Sequence, residues 1–163
     1  MANIIDLVNE FETVANAMVG IGSFAYGNTF ELNEYRTQPR PLMVLHKQRA
    51  LNYPDFQKKM RNYRLTIGIY SDYHEAEKLT TSYAQKQSDL TDLMEQYIRE
   101  LRKRSLGNTA QVTSNQPWFM KSGNEDTVTV ELIEVIGNDK FIGIESILTF
   151  VIFAECGEGV FNY

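Results

Sequence analysis

Few side chains in this sequence have both the type and the spacing that chemistry requires. The two histidines, His46 and His74, are far apart in the chain, and a metal site would need both to converge with carboxylates. A lone histidine at the end of a strand, as His46 is, reads as a surface or hydrogen-bonded residue. Cys156 is the single cysteine, so an internal disulfide or a cysteine-rich metal cluster cannot form. As a nucleophile it would need a histidine and an orienting group beside it; Glu155-Cys156-Gly157 instead reads as a small residue closing a strand. Gly20-Ile21-Gly22 lacks the third glycine of a dinucleotide fingerprint and follows a helix where that fingerprint follows a strand. Lys121-Ser122 lacks the glycines of a phosphate loop. The carboxylates are scattered, not gathered as in a two-metal nuclease. No catalytic, cofactor-binding or metal-binding residue is assigned, and the expectation is a protein that is not an enzyme and acts through its surface.

The residues best suited to making that surface are basic and aromatic. Lys47, Arg49, Tyr53, Phe56, Lys58, Lys59 and Arg61 lie close together, and Trp118, Phe161 and Tyr163 supply further large side chains. These are the candidate subunit or partner contacts, since aromatic residues are enriched in such interfaces. Cations interleaved with Tyr53 and Phe56 also imitate a platform for single-stranded nucleic acid. The net charge of −5 disfavours that reading, because nucleic-acid binders are normally basic. The charge is uneven: residues 47–64 are basic, whereas the chain after Ser122 carries eight acids, from Glu125 to Glu158, against Lys140 alone. A chain with basic and acidic portions suits head-to-tail contact between copies. Solvated faces, with cations complementing a helix C-terminus, explain the same distribution without any partner.

The elements that must position these residues follow from periodicity. At 163 residues the chain is expected to be one domain, 1–163, with a projecting arm or loop at 47–62 and a short tail at 157–163. The first residues lack a basic export signal, and no apolar run approaches the ~18 residues of a membrane span. Ile4, Leu7, Val8, Phe11, Val14, Ala15, Met18 and Val19 recur at helical spacing, and Gly20 and Gly22 end that helix. Residues 23–26 read as a short strand, Gly27-Asn28 as a turn with 29–32 pairing back, and 42–45 as a buried strand. Tyr63, Leu65, Ile67 and Ile69 alternate with Arg64, Thr66, Gly68 and Tyr70, which predicts a strand over 61–71. One of its faces is apolar and the other is polar with one aromatic. A helix over 80–104 carries Leu90, Leu93, Met94, Tyr97, Ile98 and Leu101. A strand begins at Trp118, and 127–136 and 141–155 form a hairpin across Gly137-Asn138-Asp139. The last strand is apolar on both faces and is expected to be central or covered on both sides. The fold class is therefore α+β, a mainly antiparallel sheet packed by two helices.

This order of elements resembles the tail-terminator family of tailed bacteriophages and the related neck, or head–tail connector, ring proteins. The opening helix at Ile4-Ile5-Asp6-Leu7-Val8-Asn9-Glu10-Phe11 carries the likeness, as do the turn Ser23-Phe24-Ala25-Tyr26-Gly27 and the proline-led strand Pro41-Leu42-Met43-Val44-Leu45. The strand at 64–70, the long helix at 82–101 and the closing strands complete it. The chain is also similar to small neck proteins of phages infecting Bacteroidetes, including crAss-like phages. The resemblance implies a tail-terminator-like subunit without catalytic residues or cofactors. Such a subunit is a structural virion protein that assembles with itself into a sixfold or twelvefold ring. The ring would sit between the portal or an adaptor and the tail tube or other neck proteins. Double-stranded DNA would pass through its lumen without sequence-specific binding, and no membrane is involved. It would be assembled in the host cytoplasm and located in the virion. Other head- or tail-completion connectors, or a small nucleic-acid-binding accessory protein, are the alternatives. The basic segment 47–62 and the aromatic tail depart from the family pattern.

Overall fold

The computed structural model describes residues 4–27, 37–47, 52–55, 60–72, 81–105, 118–121, 128–135 and 141–153. Helix α1, Ile4–Ala17, turns Leu7, Phe11, Val14 and Ala15 inward, the i, i+4, i+7, i+8 stripe of a helix laid on a core. Asp6 in its first turn complements the positive end of the helix dipole. Val19 fits the periodic stripe by sequence. The helix stops at Ala17, however, so Val19 falls in the following turn and is fully exposed. Gly22 is needed where the chain enters its first strand, because a Cβ there would stand 2.8 Å from the Arg40 carbonyl oxygen.

Strands β1 (Ser23–Gly27), β2 (Leu42–His46), β3 (Asn52–Asp55), β4 (Met60–Asp72), β5 (Trp118–Met120), β6 (Val130–Val135) and β7 (Phe141–Phe153) form one sheet. Its path is β1-β2-β4-β7-β5, with β3 paired to β4 and β6 paired to β7, and it does not close into a barrel. The β1–β2 pair is parallel and the other pairs are antiparallel, so the sheet is mixed. The spine is the β4–β7 ladder, in register from Met60 opposite Phe153 to Asp72 opposite Phe141. Strand β7 is flanked by β4 on one side and by β5 and β6 on the other; its helix-side residues Ile144, Leu148 and Phe150 are buried, and on its other face Phe141 and Val151 are buried while Ile147 is 45 % exposed. Segment 47–62 is partly in the sheet. Asn52 pairs with Asn62 and Asp55 with Met60, and residues 60–62 also pair with β7. The pairing-back expected for 29–32 lies outside the described residues; among the described residues β1 lies parallel to β2.

Helix α2, Thr81–Arg104, buries Leu90, Met94, Tyr97, Ile98 and Leu101 and carries Arg102, Lys103 and Arg104 where cations oppose the negative end of its dipole. Both helices pack on one face of the sheet, against Met43, Leu45, Leu65, Ile67, Ile69, Ile144, Leu148 and Phe150. An aromatic chain crosses this layer. Tyr97 meets Phe11 at 6.1 Å, Phe11 meets the edge of Phe150 at 5.2 Å, and Phe150 meets Trp118 at 5.7 Å. Each such pair adds about 0.5–1.5 kcal/mol beyond its buried area. The Tyr97 hydroxyl donates to the Phe11 carbonyl at 2.8 Å. Burial pushes that phenol well above its ordinary pKa, and the Glu10 carboxylate adds to the effect. Arg104 Nε donates to Glu10 at 2.6 Å and ties the end of α2 to α1; that hydrogen bond raises the guanidinium pKa further. Ser105, buried just past α2, accepts the Met120 backbone N–H at 2.8 Å and fixes β5 to the helix end. Among the described residues no helix is long and apolar enough to cross a membrane.

Candidate functional site

Alternation along the strands sends a second set of side chains to the face opposite the helices. Leu42 and Val44 on β2, Tyr70 on β4 and Phe141 on β7 form a small buried cluster there, with Ala25 of β1 against it. In register, Tyr70 lies opposite Gly143, and Gly68 lies opposite Glu145. A Cβ on Gly143 would come within 2.7 Å of Tyr70 Cε1, and one on Gly68 within 2.6 Å of Tyr70 Cε2. The two glycines therefore form a bare patch of backbone on which the Tyr70 ring lies down instead of standing off the sheet.

That posture aims the phenol. Its hydroxyl donates to Glu145 Oε1 in a very short contact and sits 3.0 Å from His46 Nε2. The imidazole nitrogen is itself 3.7 Å from the same carboxylate oxygen. Because Tyr70 has one proton and gives it to Glu145, His46 donates from Nε2 to the phenol oxygen. Each polar group of this His46–Tyr70–Glu145 cluster thus meets another, as burial demands. The arrangement can hold and pass a proton. It does not extend to a metal centre, since among the described residues no three His, Cys, Asp or Glu side chains gather as ligands. Nearby, the Arg40 guanidinium lies 4.6 Å over the Phe141 ring, with Nε 3.3 Å from Asp72 Oδ1. Arg40 Nε makes no hydrogen bond of good geometry, so the attraction to Asp72 is electrostatic and the ring contact holds the guanidinium in place.

Of the contact residues expected from sequence, the structure describes Lys47, Tyr53, Arg61 and Trp118. Lys47 is exposed at the end of β2, and its backbone N–H donates to Gly27. Arg61 is half-buried on β4 opposite Ile152. Tyr53 lies on β3. Trp118 is 1 % exposed and packs in the core, so its ring is not presented to a partner. Arg49, Phe56, Lys58, Lys59, Phe161 and Tyr163 lie outside the described residues. Sequence reasoning missed the Tyr70 cluster, although Tyr70 was visible as the one aromatic on the polar face of its strand.

Two outer strands complete the surface. Among the described residues β1 pairs only with β2, and β6 pairs only with β7. Each carries one large exposed apolar side chain, Tyr26 at 39 % and Leu132 at 38 %. Tyr26 is in register with Leu45 and Leu132 with Ile144, so both lie on the helix side of the sheet. A groove of about 310 Å³ between the end of α1 and α2 is floored by Val14, Ala17 and Met18 and rimmed by Gln96, Glu100 and Arg104.

The chain matches no family model and no curated protein.

Proposed function

We propose that this chain is a structural subunit of a ring in the neck or tail of a tailed bacteriophage, a tail-terminator-like protein that joins the head side to the tail. The observation that carries the reading is the element order. An opening helix, a short strand, a proline-led strand, a long strand, a long helix and a closing antiparallel pair come in that order, with the short strands β3 and β5 between them, and this order supports the reading. Both helices pack on one face of an open sheet. A subunit of a closed ring touches its two neighbours through two different patches; outer strands of unlike sequence, β1 and β6, are consistent with that requirement. In this reading the neighbours are further copies, a portal or adaptor on one side and tail-tube or other neck proteins on the other. Double-stranded DNA passes through the lumen without sequence-specific contact.

The test is light scattering after size exclusion at high protein concentration, with negative-stain images of the peak. Closed rings of six or twelve copies are expected. A chain that stays monomeric at every concentration, alone and when mixed with portal and tail-tube proteins, overturns the reading. Tight DNA binding that falls steeply with salt would favour a nucleic-acid accessory role instead.

A further inference from the structure

We infer that copies of this chain join by strand addition, with β1 of one copy pairing antiparallel with β6 of the next. The inference rests on the ring reading and names the contact through which the ring closes. Among the described residues, β1 and β6 each leave one edge without a strand partner. Such an edge presents a row of backbone donors and acceptors that template pairing with another chain. Proteins that must stay single blunt such edges with charge or proline. Strand β1, Ser-Phe-Ala-Tyr-Gly, has neither.

Direction and length permit the union. Strand β1 runs with β2, which is antiparallel to β4; β4 is antiparallel to β7, and β7 to β6. The two outer strands therefore run in opposite senses, and placing one copy beside the next sets β6 against β1 as an antiparallel pair. They match in length, at five and six residues.

Side chains and charge select β1 against β6 over either strand against itself. Two β6 strands together would bring the exposed Glu131 of one copy toward that of another, and like charges facing across strands are unfavourable. Two β1 strands together would leave β6 unpaired. In the mixed pair, Tyr26 and Leu132 lie on the same side of the joined sheet. An aromatic beside an aliphatic side chain is a favourable cross-strand combination. Both are partly exposed in the single chain, and each would cover the other. Because the same contact uses a different strand on each partner, it propagates head to tail and ends only by closure.

Cysteines at the two edges test the contact. The chain is prepared as Cys156→Ser, which removes its one native thiol, and carries Tyr26→Cys and Leu132→Cys together or singly. In the register that sets Tyr26 opposite Leu132, the two positions lie within disulfide range. On oxidation the double variant should give covalent oligomers larger than dimers, ending at the ring number, while each single variant stays a monomer on a denaturing gel. In parallel, Tyr26→Lys and Leu132→Lys, both at exposed positions, should abolish assembly without changing the circular dichroism spectrum. Dimers from Tyr26→Cys alone would mean that β1 meets β1, and would overturn the inference. Rings seen by light scattering that fail to cross-link and survive both lysines would overturn it while leaving the ring reading standing. Absence of any assembly by the unmodified chain, alone and when mixed with portal and tail-tube proteins, would overturn both.

Discussion

Tyr70 is held by what lies beneath it as much as by what its hydroxyl touches. Gly68 and Gly143 leave the backbone bare under the ring, and only from that position does the phenol reach Glu145 and His46 together. Gly68→Ala and Gly143→Ala should each destabilise the protein by about 1–3 kcal/mol, the usual range for overfilling a packed site. In a Tyr70→Ala background the same alanines should cost far less, because the ring they displace is gone. Urea unfolding of the three single and two double variants measures this, and additive penalties would show that the glycines serve another purpose. The cluster was hard to read from sequence for a physical reason. His46, Tyr70 and Glu145 sit on three strands, and only the register of β4 against β7 brings Gly143 under a tyrosine far away in the chain.

The helices were legible because a 3.6-residue period survives in the sequence wherever one face is buried. Leu7, Phe11, Val14 and Ala15 on α1, and Leu90, Met94, Tyr97, Ile98 and Leu101 on α2, are buried as that period predicts. The long strand β4 was legible through its alternation, within one residue at each end. The parallel partnership of β1 was not, since five residues carry no mark of which strand they join. Trp118 read as a surface contact because a three-residue strand is too short to show a buried face. The tie between α1 and α2 makes a prediction of its own. Tyr97→Phe removes the hydrogen bond to the Phe11 carbonyl and should cost about 1 kcal/mol at neutral pH. The folded phenol has its pKa raised by burial and by Glu10. Its stabilising contribution is therefore complete below the unfolded value of about 10 and is lost as pH climbs beyond it, where the unfolded chain releases a proton that the folded chain keeps. Tyr97→Phe should flatten this alkaline loss, as urea melts at pH 8 and pH 10.5 would register. An unchanged alkaline slope would place the sensitivity on other groups.

For the whole molecule, the β4–β7 ladder is the organising structure, flanked by β2 and β6 and covered on one side by both helices. Amides of residues 67–70 and 142–145 should be the slowest in the protein to exchange with deuterium, because their opening requires the sheet to come apart. Helix amides that outlast them would locate the most stable unit elsewhere. The general class, α+β with helices on a sheet, was legible in the sequence. The order β1-β2-β4-β7-β5 was not, because it depends on pairings between residues far apart in the chain. That same distance governs how the protein comes into being on the ribosome. When β4 and α2 have been synthesised, residues 141–153 do not yet exist, so β4 has no partner along one flank and α2 lacks much of the floor it will cover. A nascent chain halted before residue 141 would be an adhesive intermediate with an open strand edge, a client for chaperones, and not a smaller version of the finished fold.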